Sequence, residues 1–258
     1  MSVGAWHAVI LAAGRGRRLR PLTDRVPKCL VEIGGRPLLE WQLQALRAAG
    51  IHDLSVVGGY RARQLRSAGV AVLTNPDWRR STMLASLLVA RDRLRAGPCI
   101  VAYGDIAFGR RAVAGLMRTD ADVAIVYDRD WRVLWEARFA RPQDDAESLR
   151  VVNGAVAAIG APIHDLSEAD GQYIGLVRFT PSGWRRTERL LARLGARRVR
   201  TLETTHLLAY LVAEGERIAA VPIRGGWCEV DTPGDVKLYE DRLAAGGRWS
   251  HDWRSGVG

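Results

Sequence analysis

Short apolar runs alternate with stretches of helical period through the first half of this chain. That alternation constrains the fold more than any other feature. Residues 8–13 are apolar and end in Gly14. After a basic loop, Pro37 opens LLEWQLQALRAAG, where Leu39, Leu43 and Leu46 recur at helical spacing and Gly50 stops the helix. Strands are expected at 53–57, 70–73, 99–103 and 122–127, with helices from about 82 to 97 and near 110–117. Strands separated by helices make βαβ units. The expected fold class is therefore α/β, a mostly parallel mixed sheet with helices on both faces.

The second half changes character. Residues 129–175 hold short strand-like pieces (LRVVN, AVAAIG) with turns between them, as in a hairpin-rich insertion. IGLVRF then returns to strand, 181–194 and 202–213 to helix, and RIAAVPI and GWCEVD to strand. Thr232-Pro233-Gly234-Asp235 reads as a helix start. The expectation is one domain over 1–240, followed by a loose tail over 241–258.

Charge bears on the partner. The net charge is +10, yet of 38 Lys+Arg only Lys28 and Lys237 are lysines. A basic chain attracts anions, but a coding bias toward Arg would also produce this excess, so individual positions say more than the total. No apolar stretch is long enough to span a membrane. The N-terminal stretch lacks the basic flank of a signal peptide and reads as a buried strand. Cys29, Cys99 and Cys228 lack paired spacing, which suits a cytoplasmic location.

Ligands of parallel α/β sheets bind beyond the carboxyl ends of the strands. Four such ends carry suggestive residues: 14–18, 58–60, Gly104-Asp105 and 229–231. The Gly14-Arg15-Gly16 turn leaves N–H groups free to face an anion, with Arg15, Arg17 and Arg18 around it. A Walker loop needs GK[ST] after its second Gly, and here Arg17-Arg18 follow Gly16. A dinucleotide fingerprint needs a third Gly where Leu19 stands. A surface turn of solvated arginines is the plain alternative.

The stretch LAAGRGRRLRPLTDRVPKCLVEIGGRPLLEWQL resembles the signature of the nucleotidyltransferases that activate sugar phosphates and related small phosphates. Their pattern is LAAG-x-G-[ST]-R-L-x-P-LT, then PK-x-L, then G-x-P-[LM]; Arg17 departs from it. YGD at 103–105 and EVD at 229–231 match the family's two strand-end aspartates. The resemblance implies a Rossmann-like nucleotidyltransferase fold, with Asp105 and Asp231 holding Mg²⁺ and Lys28 and Arg18 as catalytic cations. It also implies a nucleotide site at Ala12, Ala13, Gly14, Arg15, Gly16, Arg17, Arg18, Gly59, Ser81, Thr82, Gly104 and Asp105. Lys28 is expected between the α-phosphate and the acceptor phosphate, and Lys237 on a helix surface.

The middle and C-terminal segments look like the phosphocholine cytidylyltransferase-like branch, which includes enzymes acting on phosphonates. The implied reaction moves a nucleotidyl group, CMP from CTP, to a small phosphate or phosphonate with release of pyrophosphate. Trp227, Glu229 and Asp231 share one strand face; with Asp231 on the metal, Trp227 and Glu229 join Trp131, Trp135 and Tyr173 as the expected acceptor site. Aromatics beside a carboxylate hold a cation with about 0.5–2 kcal/mol; core packing is the alternative for each tryptophan. Asp145 and Glu147 either meet an amine or form a solvated turn. Two other readings stay open: transfer of another nucleotide to a sugar or cyclitol phosphate, and a nonenzymatic nucleic-acid-binding regulator. Neither nucleic acid nor membrane is expected as a partner, and a homo-oligomer is compatible with the sequence.

Overall fold

A computed structural model describes residues 5–256; the first four residues of the N-terminal stretch and the last two of the tail lie outside the described residues. Strand β1 (His7–Ala12) leads through the basic loop to the short β2 (Glu32–Ile33) and β3 (Arg36–Pro37) and helix α1 (Leu38–Ala48). Then follow β4 (Asp53–Gly58), β5 (Ala71–Thr74), α2 (Met83–Val89), α3 (Arg91–Ala96), β6 (Cys99–Tyr103), β7 (Ile106–Phe108), α4 (Arg110–Arg118) and β8 (Val123–Asp128). The helix expected from 82 to 97 is thus two helices, broken where Ala90 leaves helical geometry at ψ 8°.

The second half contributes α5 (Trp131–Arg138), β9 (Glu147–Val152), β10 (Ala155–Pro162), β11 (Gln172–Phe179), α6 (Pro181–Val199) and α7 (Thr204–Ala213). It ends with β12 (Ile218–Ile223), β13 (Trp227–Glu229) and α8 (Pro233–Ala244). The insertion holds the expected hairpin, β9–β10, turned by Asn153 and Gly154 at φ 49° and 72°. Positive φ at both central residues is the turn geometry that matches strand twist. Its first segment, however, is a helix: Trp131, Leu134 and Trp135 bury one face at helical spacing.

Nine strands form one sheet in the order β5-β4-β1-β6-β11-β8-β12-β10-β9. Only β11 and β10 run against the others, so the carboxyl ends of β1, β4 and β6 open on one edge. Period-two alternation divides β1 between the two faces. Ala8, Ile10 and Ala12 join the core beneath α1, α4, α5 and α8, while Val9 and Leu11 join the core beneath α2, α3, α6 and α7. A separate ribbon pairs β13 antiparallel with β7. Among the described residues no helix is long and apolar enough to cross a membrane.

The tail is packed, not loose. Trp253 is buried, edge-on to Trp41 and Tyr239, and Trp249 stacks on Tyr239. His251 is buried with Nε2 2.8 Å from Asp128 Oδ2 at the end of β8. Asp128 also accepts from the Trp227 Nε1–H at 2.9 Å and the Gly225 N–H at 2.9 Å. Burial works to raise its carboxyl, but His251 and these donors hold it below the usual aspartate range. Trp253→Ala removes a buried indole, and a loss of about 3–5 kcal/mol is expected. Urea unfolding checks this, and an unchanged midpoint would show that the tail does not belong to the core.

Candidate active site

The basic loop closes on itself before it meets the sheet. Gly16 adopts φ 66°, and Thr23 Oγ1 donates to its carbonyl at 2.8 Å. A side chain there would be strained and would meet the Lys28 stem at 3.0–3.1 Å from Cβ, Cγ and Cδ. Gly16 and the stem of Lys28 therefore pack directly together. The Pro27 backbone is extended, and Lys28 opens a short 3₁₀ turn whose Cys29 is buried. These contacts aim the ammonium across the sheet edge.

That ammonium lies 2.9 Å from Asp105 Oδ2 and 2.6 Å from Asp231 Oδ1. Asp105 follows β6; Asp231 follows β13 and Glu229 ends it. Ligand oxygens of Asp105, Glu229 and Asp231 all lie within 4.8 Å of one another. Asp105 Oδ1 is buried without a hydrogen-bond partner. Clustered carboxylate oxygens with an unsatisfied lone pair fit a hard divalent cation, which takes one or two carboxylates plus phosphate and water.

Asp231 divides its two oxygens. Oδ1 faces Lys28 and, at 2.9 Å, Arg18, while Oδ2 accepts from Arg138 at 3.3 Å. The Arg138 side chain is fully buried and also contacts Glu229 at 2.8 Å and Asp235 at 3.0 Å. Asp235 belongs to the capping box that starts α8 and accepts the Asp231 and Thr232 N–H groups at 2.8 Å. Burial opposes the Asp231 charge, yet Lys28, Arg18 and Arg138 hold its carboxyl below the usual range. Burial pushes Glu229 up to about 7, with Arg138 opposing and Asp231 and Asp105 adding to the rise. Burial likewise disfavours the Lys28 charge, but Asp105 and Asp231 outweigh it and hold the group protonated.

Two cavities flank this cluster. The first, of about 300 Å³, is lined by the expected Ala12, Ala13, Gly14, Gly16, Lys28, Ser81, Thr82, Gly104 and Asp105. Trp78, Ser86 and Glu203 also line it and were not singled out by sequence. Four expected residues stand apart, of which Arg18 lines the other cavity. Gly59 lies behind Trp78, where an added Cβ would come within 2.5 Å of the indole side chain. Arg15 turns to Asp24 at 3.3 Å and stacks on Tyr60, and Arg17 is exposed outside the cavity. Thr82 precedes α2 without capping it, because its hydroxyl donates to the Leu202 carbonyl at 2.7 Å.

The second cavity, of about 200 Å³, is lined by Trp135, Tyr173, Trp227 and Glu229 of the expected acceptor residues, with Arg18 and Asp231 beside them. Asp145 and Glu147 form part of its wall, Asp145 half-buried after a short 3₁₀ turn and Glu147 exposed at the start of β9. Burial raises both carboxyls. Trp131 is corrected: it is buried behind Trp135, with ring centroids 5.8 Å apart, because it occupies the core face of α5. Gln172 and Thr205 complete the wall and were missed, as was Arg138. Arg138 had one legible signal, its place seven residues after Trp131 and three after Trp135 on the same helix.

Comparison with known proteins agrees with this geometry. Residues 8–201 match the MobA-like NTP transferase domain. The chain is 31% identical over 252 residues to the CTP:phosphoglutamine cytidylyltransferase of Campylobacter jejuni, covering 92% of this chain and 100% of that protein. It is 36% identical over 91 residues to the choline-phosphate cytidylyltransferase of Streptococcus pneumoniae, covering 34% and 40%. A solved structure of CTP:phosphocholine cytidylyltransferase from Streptococcus pneumoniae superimposes with TM-score 0.73 at 21% identity, covering 93% of this chain and 99% of that one, which is a likeness of fold. With the family model matched over most of its length and a full-length relative at this identity, the chain belongs to the MobA-like NTP transferase domain family and is a cytidylyltransferase-like nucleotidyltransferase.

Proposed function

We propose that this protein transfers CMP from CTP to a small phosphate or phosphonate, releasing pyrophosphate, and that Mg²⁺ is its cofactor. The observation that carries the reading is the Lys28–Asp105–Asp231 cluster at the junction of the two cavities. An acceptor oxygen attacks the α-phosphorus, and the bond to the bridging oxygen of the departing pyrophosphate breaks. The acceptor oxyanion is already ionised near neutral pH, so the site needs no general base. Catalysis is then positioning and neutralisation of shifting charge. Asp105 and Asp231 would hold Mg²⁺, which supplies charge neutralisation on the phosphates when bound.

The first cavity suits the nucleotide: the loop N–H groups and Lys28 face phosphate, and Trp78 with Ser81 and Ser86 border the deeper end. The second suits the acceptor. Arg18 would meet its phosphate, and Asp145, Glu147 and Glu229 favour a positively charged far end. Arg138 covers a face of Trp135 at 5.2 Å and Trp227 tilts against the same ring at 5.9 Å. With those ring faces occupied, recognition falls to carboxylate oxygens, which favours an ammonium that donates hydrogen bonds. In this reading the working unit is one domain whose insertion, near 129–175, builds the acceptor side. The full-length similarity to a CTP-using relative supports the donor assignment.

Asp105→Asn and Asp231→Asn each strand part of a buried cation's charge and should lose some stability, yet in variants that circular dichroism shows to be folded kcat is expected to fall by about a hundredfold or more. Full activity in excess chelator would overturn the metal assignment.

Lys28→Arg keeps the charge on a wider planar fork. A displacement of about 1 Å costs on the order of a hundredfold in rate, so most activity should go. Lys237→Arg should be silent, since Lys237 is exposed and pairs with Asp241 along α8. Steady-state rates of the two variants side by side decide this.

Specificity constants for CTP, UTP, ATP, GTP and dTTP, with aminoalkyl phosphates and phosphonates as acceptors, should favour CTP. A clear preference for another base would reassign the donor while leaving nucleotidyl transfer in place.

A further inference from the structure

We propose that Lys28 is the exchangeable counter-ion of the metal carboxylates: it neutralises Asp105 and Asp231 in the ligand-free enzyme and yields them to a divalent cation that arrives with the nucleotide. The inference rests on the reading of Asp105 and Asp231 as metal ligands. Both Lys28 contacts are shorter than 3 Å and fall on two of the three carboxylates whose oxygens lie within 4.8 Å of one another. A divalent cation bound among those carboxylates would sit beside the ammonium and repel it, so the two compete for the same negative charge.

The surroundings permit exchange without rebuilding the site. Arg138 stays on Asp231 Oδ2 and on Glu229, so the orientation of Asp231 does not depend on Lys28. The Lys28 stem is held along Gly16, and the rotatable end of the side chain already borders the nucleotide cavity. A compact ammonium can turn from carboxylate to phosphate about such a stem; a rigid guanidinium fork matched to two carboxylates could not do so as readily. A free divalent ion must therefore compete with an internal cation. A nucleotide-bound ion meets less opposition, because the triphosphate gives Lys28 a new partner as the ion takes its old ones. Metal and nucleotide binding are thereby coupled, each strengthening the other.

The test uses Mn²⁺ alone as probe, with the full chain and no nucleotide, and reads free Mn²⁺ by electron paramagnetic resonance. Wild type should bind weakly. Lys28→Met and Lys28→Gln should each bind at least tenfold more tightly, and Asp105→Asn added to Lys28→Met should abolish the gain. Equal affinity in wild type and both lysine variants would overturn the exchange. If Asp105→Asn still weakened binding in that case, the metal site itself would stand. If neither Asp105→Asn nor Asp231→Asn altered Mn²⁺ binding in any background, the metal assignment would fail and the exchange with it.

A measurement on wild type alone guards against variants that do not fold. Millimolar Mg²⁺ without nucleotide should leave the melting temperature unchanged, whereas Mg²⁺ with CTP should raise it. A rise with submillimolar Mg²⁺ alone would overturn the proposal.

Discussion

Four carboxylates, from Asp105, Glu229, Asp231 and Asp235, converge on two buried cations, and much of the fold is arranged around keeping that charge compensated. Arg138 reaches three of the four, and Lys28 reaches two. Removing one member of a buried ion pair typically costs about 3–5 kcal/mol, because the remaining charge is stranded. These side chains come from four parts of the chain. Lys28 follows the first loop, Asp105 follows β6, Arg138 ends α5 in the insertion, and Glu229, Asp231 and Asp235 lie between the end of β13 and the first turn of α8. The cluster thus ties the first cavity, the second cavity and the start of the last long helix to one electrostatic centre.

The same centre joins the two cavities. Asp231 turns one oxygen toward the lysine and the other toward the arginine, so it belongs to both sides. Most arginines in this chain do other work. Arg186 bridges Asp122 and Glu216, and Arg93 holds Asp53 at 2.6 Å. The large positive charge is therefore partly structural, and the two lysines differ sharply in setting. One is confined within the site, and the other rides a solvated helix face.

What could be read from sequence was whatever local spacing encodes. Gly14 to Gly16, the strand-end aspartates and the alternation of β1 through β8 depend on neighbours a few residues away, and the first cavity gathers most of the residues expected at a nucleotide site. Arg15 and Arg17 escaped because a loop's backbone path decides which arginines face inward, and Asp24 and Tyr60 capture the first. Arg138 and Asp235 escaped because their pairing spans 97 positions. Trp131 and Trp135 both carried aromatic character suited to a cation site, but their T-shaped contact places one behind the other, and spacing alone does not say which. The tail looked loose for a similar reason: its glycines and charges are local, whereas the partner of His251 lies 123 residues earlier.

That last separation has a consequence in time. Asp128 holds the indole of Trp227 at the wall of the second cavity and is itself held by His251. On the ribosome, residue 128 emerges long before residues 227 and 251, so its carboxylate must remain hydrated while the sheet around it assembles. Only when the Trp249–Trp253 segment folds back can that aspartate be dried and the wall of the second cavity made firm. Strands β1, β4 and β6 pair among themselves much earlier, although Thr82 waits for Leu202 and Lys28 for Asp231. Synthesis would therefore deliver a chain able to pair those strands and turn the Gly16 loop well before it can shape the second cavity.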